Sequence, residues 1–393
     1  MRVTYALHAR DCNTPHVQLT PAHTAKIMAA KAGFARTPPH KGDIMIAGIA
    51  KTALTALCAL SLHALATTAS LAQSEKVKVG LTNVATDIGL FVAQKRGYFK
   101  QEGLDVDFTT FDSAARMMAP FAAGDLDVSA GAPSAGFFNA VGRGIDMRIV
   151  ADKVSTPPGR PSQTLLVRKA LVESGRFKTI ADLKGLKLAN SAPGTAAWGS
   201  IYRILQQAGL SINDVELVSL GFPQQVLALS SGAIDAAFPA EPMTTEAVQK
   251  GYGVKIVTDA EIYPNHQIAT IFYSGKFATQ RPQTAVKFMK AFLRGVRDHN
   301  DALDEKGMFT GEKGDGIIAI LNEFTSIKSA DFYRSFPLAY CNPDGTLHLE
   351  SIKMDFEAFK TAGMIQSEVD PMKAIDTSFL QAALKELGPY KKQ

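Results

Sequence analysis

The sequence predicts an α/β fold of two similar lobes, each a mostly parallel sheet flanked by helices, joined by a hinge of two chain crossings. Three observations carry this. Strand-like and helix-like stretches alternate from Val77 onward, the pattern of parallel-rich α/β sheets. The series then repeats. Strand starts at Val77, Val106, Leu126 and Met147 are followed by starts at Leu186, Val215, Ile234 and Val254, at offsets of 109, 109, 108 and 107 residues. Finally, Gln163–Arg168 and Gln267–Tyr273 read as strands at the two places where the chain passes between the series. A length of 393 residues suffices for two lobes.

In chain order, Val77–Leu81 alternates with lysines and reads as a strand, and Asp87–Lys100 as a helix with Phe91, Val92, Lys95 and Phe99 at helical spacing. Val106–Phe111 is a strand and Ser113–Ala123 a helix stopped by Gly124. Leu126–Gly131, Pro133–Val141 and Met147–Ala151 follow as strand, helix and strand. A linker rich in Pro and Gly runs from Thr156 to Pro161. In the second series, Leu186–Ala189 is a short apolar strand broken by Pro193 and Gly194. Thr195 is a suitable N-cap for the apolar helix through Trp198, Ile201, Leu205 and Ala208. Beyond Asp259 the chain is mainly helical. Pro282 opens a long amphipathic helix with Val286, Met289, Phe292, Leu293 and Val296 on one face, and this tail is expected to cover the first sheet.

Charge and cysteine usage narrow the function. Residues 1–72 hold seven basic and two acidic side chains, so the whole net charge of +5 resides there and residues 73–393 are balanced. A nucleic-acid footprint is therefore not expected. Lys51, the Ala/Leu-rich run Thr52–Ala69 and the small-x-small site Ser70-Leu71-Ala72 form an export signal. The expected division is a leader over 1–72 (45–72 a signal peptide, 1–44 outside the fold), a discontinuous first lobe over 73–166 and 268–393, and a second lobe over 167–267. Cleavage after Ala72 leaves Cys341 as the sole cysteine. His266, His299 and His348 lie far apart without ligand spacing, so no metal or cofactor is expected.

Ligands of open α/β sheets bind outside the carboxyl ends of the strands. Those loops carry Asn83, Ser113, Ala132, Pro133, Ser134, Ser191, Gly194, Thr195, Phe222 and Glu241, with Asp87 and Arg116 one turn further in. Three loops from each series face one another across the expected cleft. Uncharged backbone N–H groups at helix starts favour an anion or a polar ligand edge. Arg116 reads as the cleft's one cation or as a member of a surface ion pair, Phe222 as an aromatic wall or a core residue, and Asp87 and Glu241 as acceptors for an amine or as helix-start acids. No Ser-His-Asp, Cys-His or paired-carboxylate arrangement emerges, and no phosphate loop, so no catalytic residue is expected.

Several segments resemble the solute-binding subunits of ABC importers, in the nitrate/sulfonate/taurine-type group that also includes thiamine-pyrimidine-binding members. They are Gly97-Tyr98-Phe99 through Gly103-Leu104-Asp105-Val106, Gly124-Asp125-Leu126-Asp127-Val128, Ala181-Asp182-Leu183-Lys184-Gly185, and Gly232-Ala233-Ile234-Asp235-Ala236-Ala237 with Glu241-Pro242. They span roughly residues 76–300. The resemblance implies a periplasmic binding protein of type II: a monomer that closes on a small molecule and delivers it to an inner-membrane permease. Ala240 stands where members often carry an aromatic, and the clustered cysteines of the related fungal pyrimidine synthases are missing. The ligand is left between a small anion and an amine-bearing aromatic such as a thiamine-precursor pyrimidine, with a pyrimidine-synthase-like enzyme as the alternative.

Overall fold

The structure, a computed structural model, describes residues 74–393. The expected signal peptide and the segment before it lie outside the described residues. The strands are β1 (Glu75–Leu81), β2 (Leu104–Thr110), β3 (Val128–Gly131), β4 (Met147–Thr156), β5 (Thr164–Arg168), β6 (Lys187–Asn190), β7 (Glu216–Ser219), β8 (Ala236–Ala237), β9 (Gly253–Thr258) and β10 (His266–Ser274). The longer helices are α1 (Ile88–Lys95), α2 (Ala114–Ala123), α3 (Ala135–Gly142), α4 (Ala196–Gln207), α5 (Phe222–Ser231), α6 (Pro282–Asp301), α7 (Gly311–Phe324), α8 (Leu349–Thr361) and α9 (Ser378–Leu387).

Two five-stranded sheets form, in the orders β2-β1-β3-β10-β4 and β7-β6-β8-β5-β9. The orders correspond position by position, so the repeat seen in the strand starts is a repeat of topology. Four strands of each sheet run one way. The fifth, β10 or β5, is antiparallel to both neighbours. Each sheet is thus mixed, because each takes in one strand that has just crossed from the other lobe. Gln163–Arg168 and Gln267–Tyr273 are not themselves the crossings. They belong almost wholly to β5 and β10, and the linking segments are 157–163 and 259–265.

Side-chain alternation along the strands builds a core on both faces of each sheet. In β5, Leu165 and Val167 pack with Leu188, Ile201 and Leu205, while Leu166 faces Ala189, Val226 and Leu229. On the first sheet, Val77, Val79 and Ile271 pack under Phe288, Phe292 and Val296 of the tail helix α6. Its other face joins Ile149 and Phe272 to Phe138, Phe356 and Phe359. The tail therefore covers the first sheet. Among the described residues no helix is long and apolar enough to cross a membrane.

The two crossings are bonded to each other. Asp259 accepts from the backbone N–H groups of Ser162 (3.0 Å), Gln163 (2.9 Å) and Ala260 (2.8 Å). Asp152, in β4, accepts from Gln267 Nε2 (2.5 Å) and the Asn342 N–H (2.8 Å). Burial pushes both carboxyls up, against these hydrogen bonds, from an ordinary 3.8 to about 7. A raised native pKa means that the folded state holds a proton the unfolded chain has released. The resulting stability is full below about pH 4 and is lost as pH rises through 7. For each group the change is on the order of 4 kcal/mol. Chemical denaturation from pH 4 to 8 is expected to show a shallower fall of stability for Asp152→Asn and Asp259→Asn than for wild type. Parallel curves would show that neither carboxyl takes up a proton in this range.

Candidate functional site

A cavity of about 60 Å³ lies between the lobes at the carboxyl ends of β1, β2, β3, β6, β7 and β8. The first lobe contributes Thr82, Val84, Thr86, Ser113, Ala114, Gly131, Ala132 and, from β4 and β10, Lys153, Ile268 and Ala269. The second contributes Ser191, Thr195, Ala196, Ala197, Phe222 and Ala240, and the first crossing adds Ser162 and Gln163. Among the described residues Lys153 is the one charged side chain in this lining.

Three helices start at the cavity: α2 at Ser113-Ala114, α4 at Thr195-Ala196 and α5 at Gly221-Phe222. None of the three has a side-chain cap hydrogen bond. The first turn of a helix has N–H groups without intrahelical partners that suit a ligand, fewer at α5, where Pro223 has none, and at α2, where the Arg116 N–H donates to the Ser113 carbonyl at 3.2 Å. Thr195 holds the N-cap position, but its hydroxyl donates to the Ala192 carbonyl at 3.0 Å rather than accepting from the helix. Lys153 Nζ lies 2.5 Å from Asp87 Oδ1, with both side chains buried. The second oxygen of Asp87 accepts from the Val84 N–H at 3.0 Å. A buried cation held by a buried carboxylate thus stands beside three positive helix ends.

Of the side chains singled out from the sequence, Ser113, Ala132, Ser191, Thr195 and Phe222 line this cavity. The others are placed elsewhere. Arg116 is exposed on α2, so the cavity's cation is Lys153 and not Arg116. Asp87 stands behind Lys153. Asn83 lies two residues past β1 at φ 57°, and Ser134 Oγ accepts from the Phe137 N–H at 3.1 Å as the cap of α3, with Pro133 buried before it. Glu241 accepts from the Thr245 N–H and hydroxyl, both at 3.0 Å, and burial raises its pKa. Both carboxylates offered to an amine are therefore already engaged within the protein. Gly194 touches the other lobe instead of the cavity. Its carbonyl accepts from the Ala135 N–H at 2.8 Å.

The fold also assembles a Ser-His-Asp series that no sequence motif announces. Ser200 Oγ is 3.2 Å from His266 Nδ1, and His266 Nε2 is 2.6 Å from Asp355 Oδ2. All three side chains are buried, and none lines the cavity. A nucleophile without access to substrate does not make an active site.

The sequence pattern of the NMT1-like family matches residues 70–304. The chain belongs to the NMT1-like family. A Bacillus subtilis relative that carries the provisional name of an aliphatic sulfonates-binding protein is 24% identical over 318 residues, covering 80% of this chain and 90% of the relative. The periplasmic nitrate-binding protein NrtA of Synechocystis has the same fold, with a TM-score of 0.65 at 14% identity over 80% of this chain and 90% of that one. The fold is not confined to binding proteins. A structure named as the desulfurization enzyme DSZB matches with a TM-score of 0.52 at 15% identity, over 80% of this chain and 99% of that one.

Proposed function

We propose that the protein is the periplasmic solute-binding subunit of an ABC importer, and that it captures a small oxyanion, a sulfonate, nitrate or small organic anion, between its lobes. The observation that carries the anion class is the convergence of three uncapped helix starts and Lys153 on one cavity. Such donors stabilise negative charge, and no carboxylate lines the cavity among the described residues to balance an ammonium. The amine-bearing aromatic loses its support, because Asp87 is held by Lys153 and Glu241 by Thr245. The family and the names of relatives support transport, which needs closure and no chemistry. An exported monomer that delivers to a membrane permease fits this reading, and β1 begins at Glu75, just beyond the expected cleavage site.

Calorimetric titration of dialysed protein with nitrate, methanesulfonate, taurine, butanesulfonate and an aminopyrimidine tests the class. Binding of one oxyanion at micromolar concentration, about 8 kcal/mol, with no binding of the aminopyrimidine, is the expected result. The reverse order would overturn the anion reading. Turnover of any of these compounds would overturn the transport reading.

A further inference from the structure

The series Ser200, His266, Asp355 joins three separate parts of the chain. Ser200 is on α4 of the second lobe, His266 opens β10 where the second crossing ends, and Asp355 is on α8, packed against the first sheet. With the ring proton on Nε2, Ser200 donates to His266, which donates to Asp355. The approach of α4 to α8 is close enough to require glycine. A Cβ on Gly199 would lie 2.5 Å from Asp355 Oδ1. Around this series the two lobes have an apolar contact of their own. Trp198 is 1% exposed and packs on Tyr202 (ring centroids 5.2 Å apart) and on Phe359 of α8 (5.8 Å). Tyr263 stacks on His266 at 4.0 Å, Arg203 of α4 lies over Tyr263 at 4.3 Å, and the Tyr263 hydroxyl donates to the Ser351 carbonyl at 3.1 Å.

We propose that Ser200, His266 and Asp355 form an interlobe latch that holds the protein closed without a contribution from ligand, and so sets affinity from outside the cavity. The proposal rests on the reading of the chain as a two-lobed receptor. Its physical basis is that none of these groups lines the cavity. Their contacts form when α4 meets α8, whatever lies between the lobes. Opening leaves His266 and Asp355 together on the first lobe and takes Ser200 and Trp198 away. The apparent affinity scales with the fraction of receptor molecules already in the binding-competent arrangement, which the latch sets.

Small-angle scattering and acrylamide quenching of Trp198, both on extensively dialysed full-length protein, test this. Trp198 is the sole tryptophan, so its signal reports this contact alone. Wild type is expected to scatter as a compact particle with Trp198 shielded. Gly199→Val puts a side chain into Asp355 and is expected to enlarge the radius of gyration and expose Trp198. Ser200→Ala removes one buried hydrogen bond, and the closed-to-open ratio is expected to fall about fivefold. Circular dichroism melts confirm that each lobe is folded, and Ser200→Ala gives the answer should Gly199→Val fail to fold. A dialysed wild type as expanded as Gly199→Val would overturn the latch, as would Ser200→Ala quenching identical to wild type. No readout involves a ligand, so this result is separate from that of the titration panel.

Discussion

Replacing Lys153 by methionine is expected to weaken oxyanion binding by about 3 kcal/mol, a loss of more than a hundredfold. Among the described residues the ammonium is the one charge in the cavity lining; it is buried, so salt screens it little, while the Asp87 carboxylate behind it offsets part of its attraction for an anion. The same substitution harms the fold, because it leaves Asp87 buried without its cation. Removing one partner of a buried pair costs about 3–5 kcal/mol of stability. These two losses are separable. Asp87→Asn in the Lys153→Met background removes the stranded charge and is expected to restore most of the stability and none of the binding. Urea denaturation and calorimetric titration, with whichever oxyanion of the panel binds, measure both. Single and double variants that bind as wild type would show that the ligand is held by the helix starts alone.

The repeat was the most legible feature of this chain, since strand starts mark the places where buried β runs begin, and both sheets keep the same order. The cavity was legible where it is made of strand-end loops. Ser113, Thr195 and Phe222 sit at helix starts, which local sequence signals mark, and Ser191 directly follows β6. Lys153 escaped for a definite reason. The run Met147–Ala151 reads as ending at the charged pair Asp152-Lys153, yet β4 continues buried to Thr156 because β10 covers it. The resumed run Val154-Ser155-Thr156 was the available signal. Ile268 and Ala269 reach the cavity from β10, and Ser162 and Gln163 from the crossing, through a topology that no local motif encodes. Asp87 and Glu241 stand in the sequence near strand ends where a ligand binds, but position does not show that Lys153 and Thr245 already engage them. The Ser200–His266–Asp355 series spans three distant segments, and only the folded arrangement brings them together.

Gly194 is where closure itself can be tested, and the contact an added Cβ makes across the lobes is expected to cost about 1–3 kcal/mol in ligand binding, roughly fivefold to more than a hundredfold. Its φ of 60° lies in the left-handed region, which a residue with a Cβ adopts at a cost of about 1–2 kcal/mol. A Cβ there would stand 2.6 Å from the Cβ of Ala135 across the lobe boundary, and 3.3 Å from Met364 Sδ. Ala135 is at the first turn of α3 and cannot yield without disturbing the bond from its N–H to the Gly194 carbonyl. The obstruction arises only when the lobes meet, so the folded lobes are spared most of it and closure bears it. Gly194→Ala and Gly194→Asp separate sterics from charge. Because Gly194 does not line the cavity, the methyl group alone is expected to cause nearly the whole loss, and the carboxylate to add little. The measurement is a titration of both variants with a binding oxyanion, followed by Trp198 fluorescence. A loss seen with Asp and absent with Ala would place the anion against the backbone N–H groups of this loop. Wild-type affinity in both would mean that the ligand is held in a more open arrangement, without the contact between Gly194 and Ala135.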